Sequence, residues 1–174
     1  MNKEISLEKA GRFFFFSIIQ TMLHVSLPPV RVWLLRLLGA TVGKDCVILD
    51  CSFSNAYHYG FRKLTIGDRC FIGDEVMIDL RGGVIMEDWV TVSNRVNLVT
   101  HMNVGYQGHP LQKTYPTKES PITLQRGCFI GTAATILSGV SVGRESVVGA
   151  GAVVTHSVLN NRVVVGVPAK RVRT

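Results

Sequence analysis

Five histidines and four cysteines carry much of the chemistry available to this sequence. His101 stands where a long polar stretch, 99–126, leaves an otherwise regular chain. An imidazole with an ordinary pKa of about 6.5 is suited to accepting a proton near neutral pH. His109 precedes a proline in the same stretch and reads as the shaper of a turn, while His24 and His58 read as structural. His101, His109 and His156 are too irregularly placed for an obvious ligand set, so no metal is expected. Cys46, Cys51, Cys70 and Cys128 form no C-x-x-C pair, which argues against a zinc knuckle or a redox dithiol. At the other end of the chain Lys170, Arg171 and Arg173 make a compact anion site. Asp79 lies beside a break in the chain's pattern, L-R-G-G, with Arg81, Asn94, Asn97 and Glu119 as further polar candidates and Asp88 and Arg95 as corner residues.

The elements that must position these groups follow from the rest of the chain. With 174 residues, 47% hydrophobic and 18% charged, it is one domain with a sizeable core, which excludes disorder. A net charge of +7 suggests an anionic ligand, polymer or surface. The basic residues are scattered and lack interleaved aromatics, so no nucleic-acid partner is expected. Mixed charges at the start, with no small-residue cleavage site after the apolar run, argue against a signal peptide. Reduced thiols and a cytoplasmic location follow as expectations.

Phe13–Leu27 is the most apolar run, at fifteen residues too short to span a bilayer. Its polar members Ser17, Gln20, Thr21 and His24 fall at i, i+3, i+4 and i+7, which predicts a helix with one narrow polar stripe. Ser6 is placed to cap it and Pro28-Pro29 to stop it. A second helix is predicted over Val30–Leu38, with Pro29 at its first position and Gly39 beyond its end. These helices are expected to pack on the rest of the fold or on a neighbouring subunit. The alternative is a peripheral membrane contact aided by Arg12, Arg31 and Arg36.

From residue 42 the chain repeats every six residues. Val42 and Ile48 begin the series; Ile66, Ile72 and Ile78 are followed, after a two-residue slip, by Met86, Val92 and Leu98, and later by Ile130, Ile136, Val142, Val148 and Val154. Four residues after these aliphatics stand small or β-branched ones, among them Cys46, Cys70, Val76, Val90, Ala134 and Ala152. This period cannot make an amphipathic helix. It fits short strands that turn a corner every six residues, with both phases inside a narrow prism. Three hexads close one triangular coil, and glycine just after the aliphatic reads as a corner needing unusual backbone angles. The second phase explains Cys46, Cys70 and Cys128 as small buried residues, with Cys51 undecided inside an insertion over 51–63. The resulting division is a helical cap over 1–40, a repeat over 41–159 with the insertion 99–126, and a basic tail over 160–174.

The [LIV]-G-x-x-x-x series, with V-G-A-G, V-V-T and G-V-P-A-K near the end, resembles the hexapeptide-repeat acyltransferases, in particular the galactoside and maltose O-acetyltransferase branch and the sugar acetyltransferases of polysaccharide loci. The resemblance runs from about residue 40 to the end. It implies a mainly β fold, a left-handed parallel β-helix, whose hand the spacing itself does not give. It implies an O-acetyltransferase taking acetyl from acetyl-CoA to a saccharide hydroxyl, working as a homotrimer with sites between subunits. Thr100-His101 matches the family's turn bearing the catalytic base, and a backbone N–H near Thr132 would meet the oxyanion. Phe129, in place of a family tryptophan, together with Thr132, Ala150 and Thr155, would line the cofactor groove. His156 stands where the family commonly has lysine and would also contact the cofactor. Lys170 and Arg173 match basic residues near the adenosine phosphates, and Asp79 matches an acceptor-binding carboxylate. N-acetylation of a nucleotide-linked amino sugar is the alternative reaction on the same fold.

Overall fold

The computed structural model describes residues 7–105 and 108–172, so Ser6 and Arg173 lie outside the described residues. From residue 41 the chain winds into a triangular prism of stacked coils. The first coil is β1 (Thr41–Val42), β2 (Val47–Ile48) and β3 (Cys51–Ser54), followed by the one-turn helix α3 (Ala56–Tyr59), which is numbered after the two N-terminal helices. The second is β4 (Leu64–Ile66), β5 (Phe71–Ile72) and β6 (Val76–Asp79), and the third β7 (Val84–Met86), β8 (Thr91–Val92) and β9 (Asn97–Leu98). The inserted loop contributes β10 (His101–Met102) and β11 (Lys118–Glu119). The coil resumes with β12 (Ile122–Leu124), β13 (Phe129–Ile130) and β14 (Thr135–Ile136), then β15 (Ser141–Val142), β16 (Val147–Val148) and β17 (Val153–Val154). β18 (Val163–Val165) adds a partial turn and β19 (Lys170–Arg171) folds back antiparallel on it.

Three sheets form the faces of the prism, beside the two-stranded hairpin base of β10 and β11. The first face is β1-β4-β7-β12-β15, the second β2-β5-β8-β13-β16-β18-β19 and the third β3-β6-β9-β14-β17. Every pairing between coils is parallel and in register, so Ile48, Ile72, Val92, Ile130, Val148 and Val164 form one interior ladder. The expected mainly β architecture with stacked hexads is present, and both phases of the repeat are inside: Ile72, Val76, Val90, Ala134 and Ala152 have no exposed surface. Cys51 joins them, pairing with Val76 inside β3, so the first insertion begins after Ser54 and not at Cys51. The second insertion likewise ends sooner than residue 126, because Ile122 already pairs with Val84.

The glycines after the aliphatics serve a purpose other than the one expected. It is the residue two positions later that takes the left-handed backbone, and it is mostly not glycine: Asp45, Arg69, Glu75, Trp89, Arg95, Ala133 and Glu145 all have φ between 53° and 62°. The early glycines are required by the neighbouring coil. A Cβ on Gly67 would lie 2.7 Å from the backbone of Asp88, and one on Gly131 2.7 Å from that of Ala150. Gly67→Ala is therefore expected to destabilise by about 2–3 kcal/mol. Gly151→Ala, at φ +67° but with nothing within 4 Å, should cost only about 1 kcal/mol. Urea unfolding of both variants checks this, and equal losses would show that inter-coil crowding is not the reason.

The helices α1 (Leu7–Val25) and α2 (Pro28–Leu37) cover the open N-terminal end, α2 against β1 and β2 and α1 against β3 and α3. No helix among the described residues is long and apolar enough to cross a membrane. α2 starts two residues ahead of the predicted start because both prolines fit its first turn. The polar stripe of α1 divides. The amide of Gln20 satisfies the free edge of the first coil, donating to the Cys51 carbonyl at 3.2 Å and accepting from the Phe53 N–H at 2.9 Å. His24 meets Asp50 at 2.6 Å, while Ser17 and Thr21 bond carbonyls of their own helix. Arg31 is buried and gives its guanidinium to the carbonyls of Leu23, His24, Ser26 and Ile48. It binds the end cap to the coil and is not available to a membrane, which corrects the expectation. Arg36 is similarly bonded to the Val42 and Gly43 carbonyls.

Candidate active site

The break in the hexads and the long loop meet at one corner of the prism, between the third and first faces. Asp79 ends β6 and the chain then makes the slip Leu80–Gly83. On the next coil, Val99 leaves β9 and Thr100 and His101 follow. The loop then runs out and back as a hairpin whose base is β10 against β11, with His101 opposite Glu119. Gly82 makes room for this base, since a Cβ there would lie 2.5 Å from the Thr100 carbonyl and 2.6 Å from that of Ser120. Ser138, one coil further, donates its hydroxyl to the Thr100 carbonyl at 2.9 Å. The backbone under His101 is therefore held from three sides.

His101 Nδ1 lies 2.5 Å from Asp79 Oδ2. The carboxylate is 1% exposed and is ringed by donors. Oδ2 also accepts from the Thr100 N–H at 2.9 Å and its hydroxyl at 2.8 Å, and Oδ1 from the Asn55 amide at 2.8 Å and the Arg81 N–H at 3.2 Å. Burial by itself would raise the Asp79 pKa, but hydrogen bonds from His101, Thr100, Asn55 and the Arg81 N–H outweigh it and hold the carboxyl below its usual range. An ionised, acceptor-only partner at Nδ1 fixes the proton there and leaves Nε2 with its lone pair facing the outside of the corner. The imidazole is partly exposed and can meet a substrate. Asp79, expected as an acceptor ligand, lies buried behind His101 with both oxygens engaged, a placement that suits holding the imidazole.

Arg81 and Glu119 pair at 2.7 Å beside this dyad. His58, from the first insertion, lies close enough to feel both of them, and its Nε2 is buried with no hydrogen-bond partner. Burial, and secondarily the Arg81 guanidinium, lowers its pKa from 6.5. The unfolded chain then binds a proton at His58 that the folded chain resists, so stability should fall as pH drops below 6.5 toward the lowered folded value. His58→Leu is expected to remove that part of the slope, read by urea unfolding at a series of pH values. A variant with the wild-type slope would place the titration elsewhere.

The residues expected at the cofactor divide between parts of the prism. Thr155 and His156 follow β17 on the same corner edge as His101, with the Thr155 hydroxyl 2.9 Å from His156 Nδ1. Thr132 and Ala150 stack on the next corner, between the second and third faces, where the Gly151 N–H donates to the Thr132 carbonyl at 2.8 Å. Phe129 points outward from the second face, and Lys170 is exposed on β19. Of these residues only His156 lines a groove of about 260 Å³ near the C-terminal end of the prism, with Arg162 and Arg171 as its cations and Leu159, Val164 and Ala169 among its apolar walls. Cations around an apolar trough fit a donor with phosphates at one end and an alkyl arm. Arg162 was not picked out by sequence reasoning, and neither were Asn55 and Ser138, none of which belongs to a recognisable motif. Asn94 and Asp88 are corner groups, accepting from the Asp74 and Asp68 N–H groups of the preceding coil. His109 accepts from the Leu111 N–H at 3.2 Å and shapes a turn, as expected. The cysteines are free, and burial pushes the thiols of Cys51 and Cys128 up to about 12 and Cys70 to about 11, so none of these three is a thiolate.

Comparison with known proteins agrees with this architecture. The model of the hexapeptide repeat of succinyl-transferase matches residues 63–96 and 121–156. A serine acetyltransferase of Buchnera aphidicola is 36% identical over 108 residues, covering 62% of this chain but only 38% of that protein, so the chain spans well under half of that relative. The putative colanic acid biosynthesis acetyltransferase WcaF of Escherichia coli is 33% identical over 143 residues, covering 82% of this chain and 74% of WcaF. A solved galactoside acetyltransferase in complex with coenzyme A superposes with a TM-score of 0.80 at 25% identity, covering 98% of this chain and 84% of that one. With a relative this similar over most of both chains, and with the hexads closed into the coil that they predict, the chain belongs to the hexapeptide-repeat acyltransferases.

Proposed function

We propose that this protein transfers an acetyl group from acetyl-CoA to a hydroxyl of a saccharide, with Nε2 of His101 as the general base. The observation that carries the reading is the His101–Asp79 pair, which supplies an imidazole of fixed tautomer at the mouth of the inserted loop. The acetyl thioester is what the donor brings. Nε2 takes the acceptor's hydroxyl proton as that oxygen bonds to the thioester carbonyl carbon, and Asp79 stabilises the imidazolium so formed. When the C–S bond breaks, the same proton passes from Nε2 to the departing sulfur. Direct transfer is favoured because Cys51, Cys70 and Cys128 are buried, protonated thiols.

The placement of the donor residues supports a homotrimer with shared sites. His101 and Thr132 occupy different corners of one chain, so a second chain laid alongside supplies the missing wall and the Thr132 N–H for the oxyanion. The outward ladder of the second face, Val47, Phe71, Thr91, Phe129, Val147 and Val163, is largely apolar and suits such packing. The reading is tested by following thiol release from acetyl-CoA over a panel of sugars, nucleotide sugars and their amino analogues. Release that depends on a hydroxyl acceptor supports it. Release only with an amino sugar would turn it to N-acetylation, and release with no acceptor in the panel would overturn the saccharide assignment.

A further inference from the structure

The end cap is inside out for a helix that merely closes a fold. Gln20 of α1 turns inward to the first coil, with Ile19 and Leu23 buried beside it, and the exposed His24 reaches Asp50 at its edge. Phe14, Ile18, Met22 and Val25, at i, i+4, i+8 and i+11, form an outward stripe, and Trp33 and Leu37 of α2 extend it. Phe14 and Leu37 are each 68% exposed and Trp33 59%. This is far more than scattered surface apolar residues, and it is continuous across the two helices because Phe15 and Leu37 line one groove.

Of the three arginines between residues 10 and 38, Arg31 and Arg36 are engaged by backbone carbonyls, which leaves Arg12 to charge the helical surface. The groove between α1, α2 and the end of the first insertion, about 580 Å³, is rimmed by Arg12, Arg62 and Lys63. Arg12 uses one N–H on the His58 carbonyl, and Lys63 lies over the Tyr59 ring while bonding the Arg81 carbonyl. These contacts hold the cations at the rim of the groove with donors to spare. An apolar stripe ending in an exposed tryptophan, beside a cationic groove with apolar walls, matches a surface that is hydrocarbon within and phosphate at its boundary.

We propose that the outer face of α1 and α2 docks the protein on an anionic lipid surface, the groove between Arg12, Arg62 and Lys63 receiving a phosphate headgroup. The helices lie on the bilayer rather than across it, since neither is long and apolar enough to span it. Docking leaves the second face of the prism free for neighbouring chains. His101 follows the third coil, two coil spacings of roughly 4.8 Å from the first. With the thickness of the end cap added, about 10 Å, it stands some 20 Å from the surface.

The test is flotation of the full chain with vesicles of phosphatidylcholine alone or with about one third phosphatidylglycerol. The protein is expected to float with the anionic vesicles, less as salt is raised, and hardly at all with the neutral ones. The triple variant Phe14→Glu, Ile18→Glu, Trp33→Glu should lower partitioning at least about tenfold. Arg62→Glu, a single exposed change that leaves the helices intact, should lower it several-fold. Circular dichroism checks that both remain folded. Wild-type protein that stays below the anionic vesicles overturns the proposal, as does undiminished flotation of folded variants. If the triple variant changes only the mass of the particle in sedimentation, the patch is an interface between copies and the proposal is equally lost.

Discussion

Replacing His101 with alanine is expected to slow acetyl transfer by about 100- to 10,000-fold, the range for loss of a positioned general base. The side chain lies in a short hairpin base that does not fill the core, and the backbone is held independently through Ser120, Ser138 and Gly82. The variant should therefore fold normally and bind coenzyme A as the wild type does. Titration of coenzyme A by calorimetry separates binding from turnover. A variant that binds and no longer transfers identifies His101 as the base, whereas one that retains wild-type thiol release removes it from the mechanism.

Asp79→Asn should lower the rate by about 100- to 10,000-fold without changing the size or charge of His101 itself. Every polar group facing Asp79 is a donor or can act as one. An amide must place its NH2 either toward Asn55 and the Arg81 N–H or toward Thr100 and His101. In the first orientation two donors collide. In the second, the imidazole must accept at Nδ1, which moves its proton to Nε2 and extinguishes the lone pair that would take the hydroxyl proton. The buried mismatch also costs stability, about 1–3 kcal/mol. Asp79→Glu tests the alternative that any anion suffices, since its longer arm displaces the ring. The signature of positioning is a fall in kcat with KM little changed. A fall confined to KM would return Asp79 to acceptor binding.

How far the sequence could be read depends on whether a residue answers to its own strand or to a neighbour. The hexads were legible because two phases, a large aliphatic and a small partner, must agree at every step, and no helical period satisfies both. Where the step shortens, reading fails. Ile48 to Phe53 is five residues and not six, which hides β3 inside the insertion although it pairs fully with β6. Leu124 keeps the step to Ile130 but is followed by Gln125 in place of glycine, which makes β12 look like loop. The glycines were misjudged for a related reason: a chain viewed singly shows that a position tolerates only hydrogen, not whether its own φ or the backbone of the next coil demands it. In the candidate site, His101 stands out in sequence through the loop and the family turn, while the surroundings of Asp79 depend on Asn55 and Thr100, which come to it from other coils.

The hairpin base of β10 and β11 has a consequence for how this protein could diversify. His101 is fixed by its pairing with Glu119 and by the bonds of Thr100, all on the coil side of residue 103. Everything beyond that point, up to Lys118, can be lengthened or replaced without disturbing the register of the strands below. Doubling such a loop costs only about 0.6 kcal/mol in closure entropy. A population of descendants could thus exchange acceptors by drift in one segment while inheriting the same base, the same carboxylate and the same stack of coils.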